Sequence, residues 1–261
     1  MSNLWLLYNT VSADEQTVAT SRYLGANAEI LFIAIVLCSI ITWFVHADVF
    51  DDNPIKRMVG YNNPCVAWDA PPALYLGAFL FCGTNYFAIR YAVLDSKKAY
   101  LENTLTPAQT RLIRAVNTWY ALSQALNMGI FIITPEDGTL LSMRLHSFCF
   151  LQLVPSLGLA MTANYLEEYF SGAGVTKLQW VILAFYVTFT TLETICAGAA
   201  VFLYQNDGKH VVPPILMQII DYGWFISLPL VSKWMPESKK MRIEYSVVDR
   251  VDSVAFDGSK A

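Results

Sequence analysis

The chain is short of charge. Only 15% of its 261 residues are charged while 55% are hydrophobic, against about 25% charged in an ordinary soluble domain. The deficit falls in long runs free of Asp, Glu, Lys and Arg, which excludes a large soluble core and points to a lipid bilayer. No basic patch occurs, and a formal net charge of −4 gives nucleic acid nothing to bind. Cysteine pairing is also missing. Cys38, Cys82, Cys149 and Cys196 sit in apolar runs, and Cys65 alone lies in a connecting segment. Without Cys-x-x-Cys or Cys/His spacing there is neither a disulfide framework nor a metal site, and no cofactor is indicated. No Asn-x-Ser/Thr sequence is present, which argues against heavy glycosylation. Residues 1–27 hold one basic residue, Arg22, beside Asp14 and Glu15, so neither a cleaved leader nor an Arg-rich transit peptide is expected. HExxH, HxxHH and GxSxG are absent, and no span carries the Glu-x-x-His pair of a di-metal carboxylate site.

What is present is a series of apolar runs at 28–45, 73–94, 115–134, 140–165, 178–204 and 215–231. They predict an all-α integral membrane protein, a six-transmembrane-helix bundle over 28–233. A polar, interfacial segment 1–27 precedes it and a soluble tail 234–261 follows. An even number of spans leaves both termini on the same side. Lys56, Arg57, Arg144 and Lys209 fall on the far side, Arg90 borders the near side, and the rest of the 17 Lys and Arg fall with the termini. The positive-inside rule makes that side cytosol-like. The membrane in question, plasma, endomembrane or organelle, is left open. The connection 95–114 reads as a strongly basic loop. No three-plus-three repeat is evident.

Several faces are polar at helical spacing. Gly77, Phe81, Thr84 and Ala88 share one side of the second run. Asn117, Tyr120, Gln124 and Asn127 share one side of the third, and Gln152 and Ser156 lie on one side of the fourth, which Pro155 should kink. Residues 62–69 form a turn-rich segment around Trp68, read as an ordered cap or a lid. In the tail, Tyr245-Ser246-Val247-Val248 fits a short tyrosine-based sorting pattern.

The sharpest signal is a pair of acids in the last two runs, Glu193 and Asp221. An acidic side chain at mid-bilayer costs about 2.5–3.5 kcal/mol, so each should face protein or water. At about 1.5 Å per residue, Glu193, Asp221, His146 and Asn127 come out at similar depth. The candidate polar layer is therefore Glu193, Asp221, His146, Asn127, Gln124, Gln152 and Arg144. Its leading functional reading is a transporter or channel for protons, small cations or a small solute. A structural lock, with an acid paired to Arg144 or His146, stands beside it. So do a non-catalytic subunit of a membrane complex and an enzyme using acid catalysis on a lipid-like substrate. Expected partners are the lipid bilayer and other membrane subunits or a second copy.

Overall fold

A computed structural model describes all residues except 1, 13–16, 103, 134, 136–138, 173, 206 and 243–261. The tight turn after Pro135 and the tyrosine pattern at 245–248 lie outside the described residues. Helix α1 (Asn3–Ser12) and strand β1 (Thr17–Ala19) precede α2 (Thr20–Val45). A 3₁₀ turn at Ala47–Phe50, α3 (Pro54–Val59) and a second 3₁₀ turn at Pro64–Trp68 fill the next connection. Then come α4 (Ala73–Leu101), α5 (Pro107–Asn127), a 3₁₀ turn at Met128–Phe131, α6 (Leu140–Leu151) and α7 (Leu153–Phe170). Helices α8 (Lys177–Leu203) and α9 (Pro214–Trp234) and strand β2 (Lys240–Arg242) follow.

Among the described residues the fold is all-α apart from one antiparallel pair, in which Thr17 of β1 faces Arg242 of β2. Packing runs α2–α4–α5–α7–α8–α9 and back to α2, so the helices close into a ring. Four helical stretches, Thr20–Val45, Leu140–Phe170, Lys177–Leu203 and Pro214–Trp234, are long and apolar enough to cross a membrane. Helices α4 and α5 are more polar, the first diluted by Thr84, Asn85 and Arg90, the second by Arg111, Arg114 and its row of amides.

Local chemistry sets the helix boundaries. Helix α5 starts earlier than the third apolar run because Thr106 and Gln109 build a capping box ahead of Pro107, which satisfies two orphan donors. It ends at Asn127, not at 134, where Gly129 lets the Cys149 sulfur approach the backbone. Helix α4 runs past 94 to Leu101, because the segment read as a basic loop turns Asp95, Lys98 and Ala99 inward, where they are buried. The fourth run is interrupted at Gln152, between α6 and α7. Pro155 has no N–H to return to the carbonyl one turn back.

Inward faces match the polar spacing. Phe81, Thr84, Ala88, Asn117, Tyr120, Gln124 and Asn127 are all buried. Ile40, Phe79, Val93, Val181, Ile195 and Ile219 point outward and are exposed, a surface that lipid would cover. Glu29, within α2, accepts from Asn3 N (2.9 Å), Leu4 N (3.2 Å) and Ser232 Oγ (2.9 Å). A carboxylate on orphan N–H groups at a helix start is favourable, and this one clips α1 to α2 and α9.

Helices α7 and α8 approach closely at Gly158, where an added Cβ would stand 2.6 Å from Thr190 Cγ2. Overpacking of this kind costs about 1–3 kcal/mol. Gly158→Val is therefore expected to lower the thermal midpoint of purified protein by several degrees, at about 2–4 °C per kcal/mol. Gly198 has nothing within 4 Å of its would-be Cβ, so Gly198→Ala should hold or raise that midpoint. Equal effects of the two substitutions would contradict this packing.

Candidate functional site

One end of the ring is covered by α3 and the Pro64–Trp68 turn; the strand pair marks the other. At the covered end Glu193 of α8, Asp221 of α9 and His146 of α6 line a single cavity of about 50 Å³ with Asn63, Cys65, Met217 and Phe225. A water needs about 10–15 Å³ of such space, so the cavity admits a few waters. Among the described residues no Lys or Arg lines it.

The cap is tied to these side chains. Asn63 Nδ2 donates to Asp221 Oδ2 and lies 3.0 Å from the Tyr61 hydroxyl, while Asn63 Oδ1 accepts from Cys65 N at 2.8 Å. Asp221 Oδ1 and Glu193 Oε2 are buried with no hydrogen-bond partner. His146 Nδ1 sits 2.6 Å from the Ile133 carbonyl, so Nδ1 carries a hydrogen and donates. The other ring nitrogen, Nε2, lies 3.9 Å from Asp69 Oδ1. Thr42 Oγ1 donates to the Ala67 carbonyl, and Trp68 packs edge-on against Phe81 at 5.3 Å. Ahead of the cap, Asp52 accepts two bonds from Arg57 at 2.8 and 2.7 Å. The guanidinium holds the exposed Asp52 carboxyl below its usual range.

The other candidates lie elsewhere. Gln124 donates to Thr84 Oγ1 at 2.9 Å and accepts from Asn27 at 3.3 Å. Gln152 donates to the Ser123 and Cys149 carbonyls at 2.6 and 3.0 Å, bracing the break between α6 and α7. Asn127 is fully buried, with neither side-chain polar atom bonded. Arg144 donates to the Phe202 and Tyr204 carbonyls at 3.1 and 3.0 Å, which closes the C-terminus of α8, where a cation is favourable. It forms no ion pair with Glu193 or Asp221. Shared depth along the axis thus becomes a shared cavity for Glu193, Asp221 and His146 only.

Sequence reasoning missed a second cluster toward the strand end. Lys98 Nζ lies 3.3 Å from Asp95, 3.2 Å from Glu167 and 2.9 Å from Glu168, and all four residues are buried. Asn117 Nδ2 donates to Asp95 at 3.0 Å. The inward amide at Asn117 was the available signal, since a buried amide needs a partner and Asp95 was in reach on the neighbouring helix. Among the described residues no group of His, Cys, Asp and Glu is arranged to hold a metal ion. No protein-family model matches the chain, and no curated protein or solved structure matches it.

If Asn63 latches the cap to Asp221, Asn63→Ala should expose Cys65. Losing such a hydrogen bond is worth about 0.5–1.5 kcal/mol, or about 1.5–3 kcal/mol where the acid is charged. Labelling of Cys65 by a membrane-impermeant maleimide is therefore expected to quicken at least about twofold, by the same arithmetic. An unchanged rate would mean that the cap is held by other contacts.

Proposed function

We propose that the chain is a six-span membrane protein, termini on the cytosol-like side, that moves protons or small monovalent cations through its ring of helices. The observation that carries this reading is the convergence of Glu193, Asp221 and His146 on one cavity that, among the described residues, no Lys or Arg lines. A buried carboxylate with a free oxygen and no cation beside it is stable when it holds a proton or a bound cation. A cavity of about 50 Å³ favours such small cargo over a larger solute. Phe150, in the cavity wall, packs edge-on against Trp224 at 5.7 Å. In this reading those rings close the cavity toward the interior, and conduction requires them to part. The distribution of Lys and Arg supports the orientation.

The test is a flux assay. The purified chain, reconstituted in liposomes with a trapped pH dye and an imposed potential, should acidify or alkalinise the lumen faster than empty vesicles. Glu193→Gln and Asp221→Asn should each return the rate to that of empty vesicles while the protein keeps its thermal midpoint. Wild-type flux no faster than empty vesicles, or flux untouched by both substitutions, would sink the proposal.

A second reading has its own observation, the bond from Asn63 to Asp221 and the approach of Asp69 to His146. These contacts staple the cap to the bundle, as a structural subunit of a larger assembly would need. In that case Asp221→Asn lowers the thermal midpoint, and the isolated chain carries no flux.

A further inference from the structure

The cluster around Lys98 carries more carboxylates than cations. Asp95 and Lys98 come from α4, Glu167 and Glu168 from α7, and each acid oxygen nearest Lys98 Nζ lies at 2.9–3.3 Å. From α2, Thr20 Oγ1 donates to Asp95 at 2.8 Å and lies 3.1 Å from Ser238 Oγ of the segment after α9. From α5, Asn117 adds an amide to Asp95. The next acid along, Glu102, is paired with Lys239. Three carboxylates sharing one ammonium in a buried site cannot all ionise.

A second observation points the same way. Glu167 Oε1, Glu168 Oε2 and Asn117 Oδ1 are buried acceptors with no donor. Unsatisfied acceptors in such a number ask for hydrogens not yet counted. An open pocket also adjoins the cluster, reaching Lys98 but none of its three partner acids. This pocket of about 410 Å³, lined by Leu101, Glu102, Thr104 and residues 239–242, has Lys98 in its wall. Its lining sets Glu102 against Lys98, Lys239, Lys240 and Arg242, a cationic balance unfavourable to an alkali cation, whereas a proton needs only a chain of waters.

We propose that this cluster is a second proton-binding site, in which Glu167 and its neighbours share a proton at neutral pH. The proton exchanges with water at the strand end when the strap formed by residues 235–242 lifts. The site stands whether or not the chain conducts ions.

The test uses infrared spectroscopy of the full chain. In the Glu193→Gln/Asp221→Asn variant, which silences the cap-end acids, a protonated-carboxyl stretch should persist at neutral pH. Adding Glu167→Gln or Glu168→Gln should abolish it. Arg22→Gln removes the 2.6 Å pair with Glu237, one of several contacts that hold the strap. It should speed deuterium exchange of that band by up to about fivefold, the change expected for one solvent-exposed ion pair. No band in the double variant, or a band that survives both Glu167→Gln and Glu168→Gln, overturns the site. An unchanged exchange rate overturns the strap as its exit. Should the double variant not fold, the same band is read as the difference between wild type and Glu167→Gln.

Discussion

A carboxylate enclosed by packed helices must be neutralised, and only donors, cations or protons can do it. This chain uses distinct answers at distinct places. Glu29 takes backbone N–H groups at the start of α1 and a hydroxyl from α9. Asp95 and Glu168 take Lys98. Among the described residues Glu193 and Asp221 take neither a lysine nor an arginine; what they have is a small cavity and one amide. The first two solutions hold the ring together, and the third leaves charge to be supplied from outside. Burying an acid without a cation is destabilising, so its presence where a hydrophobic residue would pack is an argument for use and not for strength.

Both ends of the ring are closed by short irregular pieces whose geometry follows from their turn residues. Asn53 caps α3 by accepting from Lys56 N, and Gly60 ends it in the left-handed region at φ 84°. Asn63 then caps the Pro64–Trp68 turn, which drives Trp68 into the core. At the other end the segment after α9 returns across the mouth. There Ser238 N donates to Ser21 Oγ at 2.9 Å, and β2 pairs with β1. Each acid cluster therefore has a lid made from a different part of the chain.

The sequence made some of this legible and hid the rest for physical reasons. Glu193 and Asp221 stand out because a charge inside an apolar run is costly, and the amide row on α5 is visible because its spacing matches one helix face. The Lys98 cluster was hidden. Asp95 and Lys98 follow the apolar run and resemble the start of a loop, and only tertiary packing against α7 extends the helix through them. Position in the plane was hidden as well. Asn127 and His146 come out at one depth, yet only His146 reaches the cavity. Arg144 resembled a counter-ion until the carbonyls at the end of α8 claimed it. The start of α5 was readable in Thr106-Pro107 and Gln109, but the polar stretch before 115 carried no apolar period to mark it.

The claim on which the account rests is that the acids at the covered end face water inside the ring. Hydroxyl-radical footprinting of the reconstituted protein tests it directly. Met217 lines that cavity and Met161 lies in the core away from it, and both are almost fully buried. Bound water makes Met217 oxidise much faster than Met161. Equal, slow oxidation of both would show a dry cavity and contradict the account.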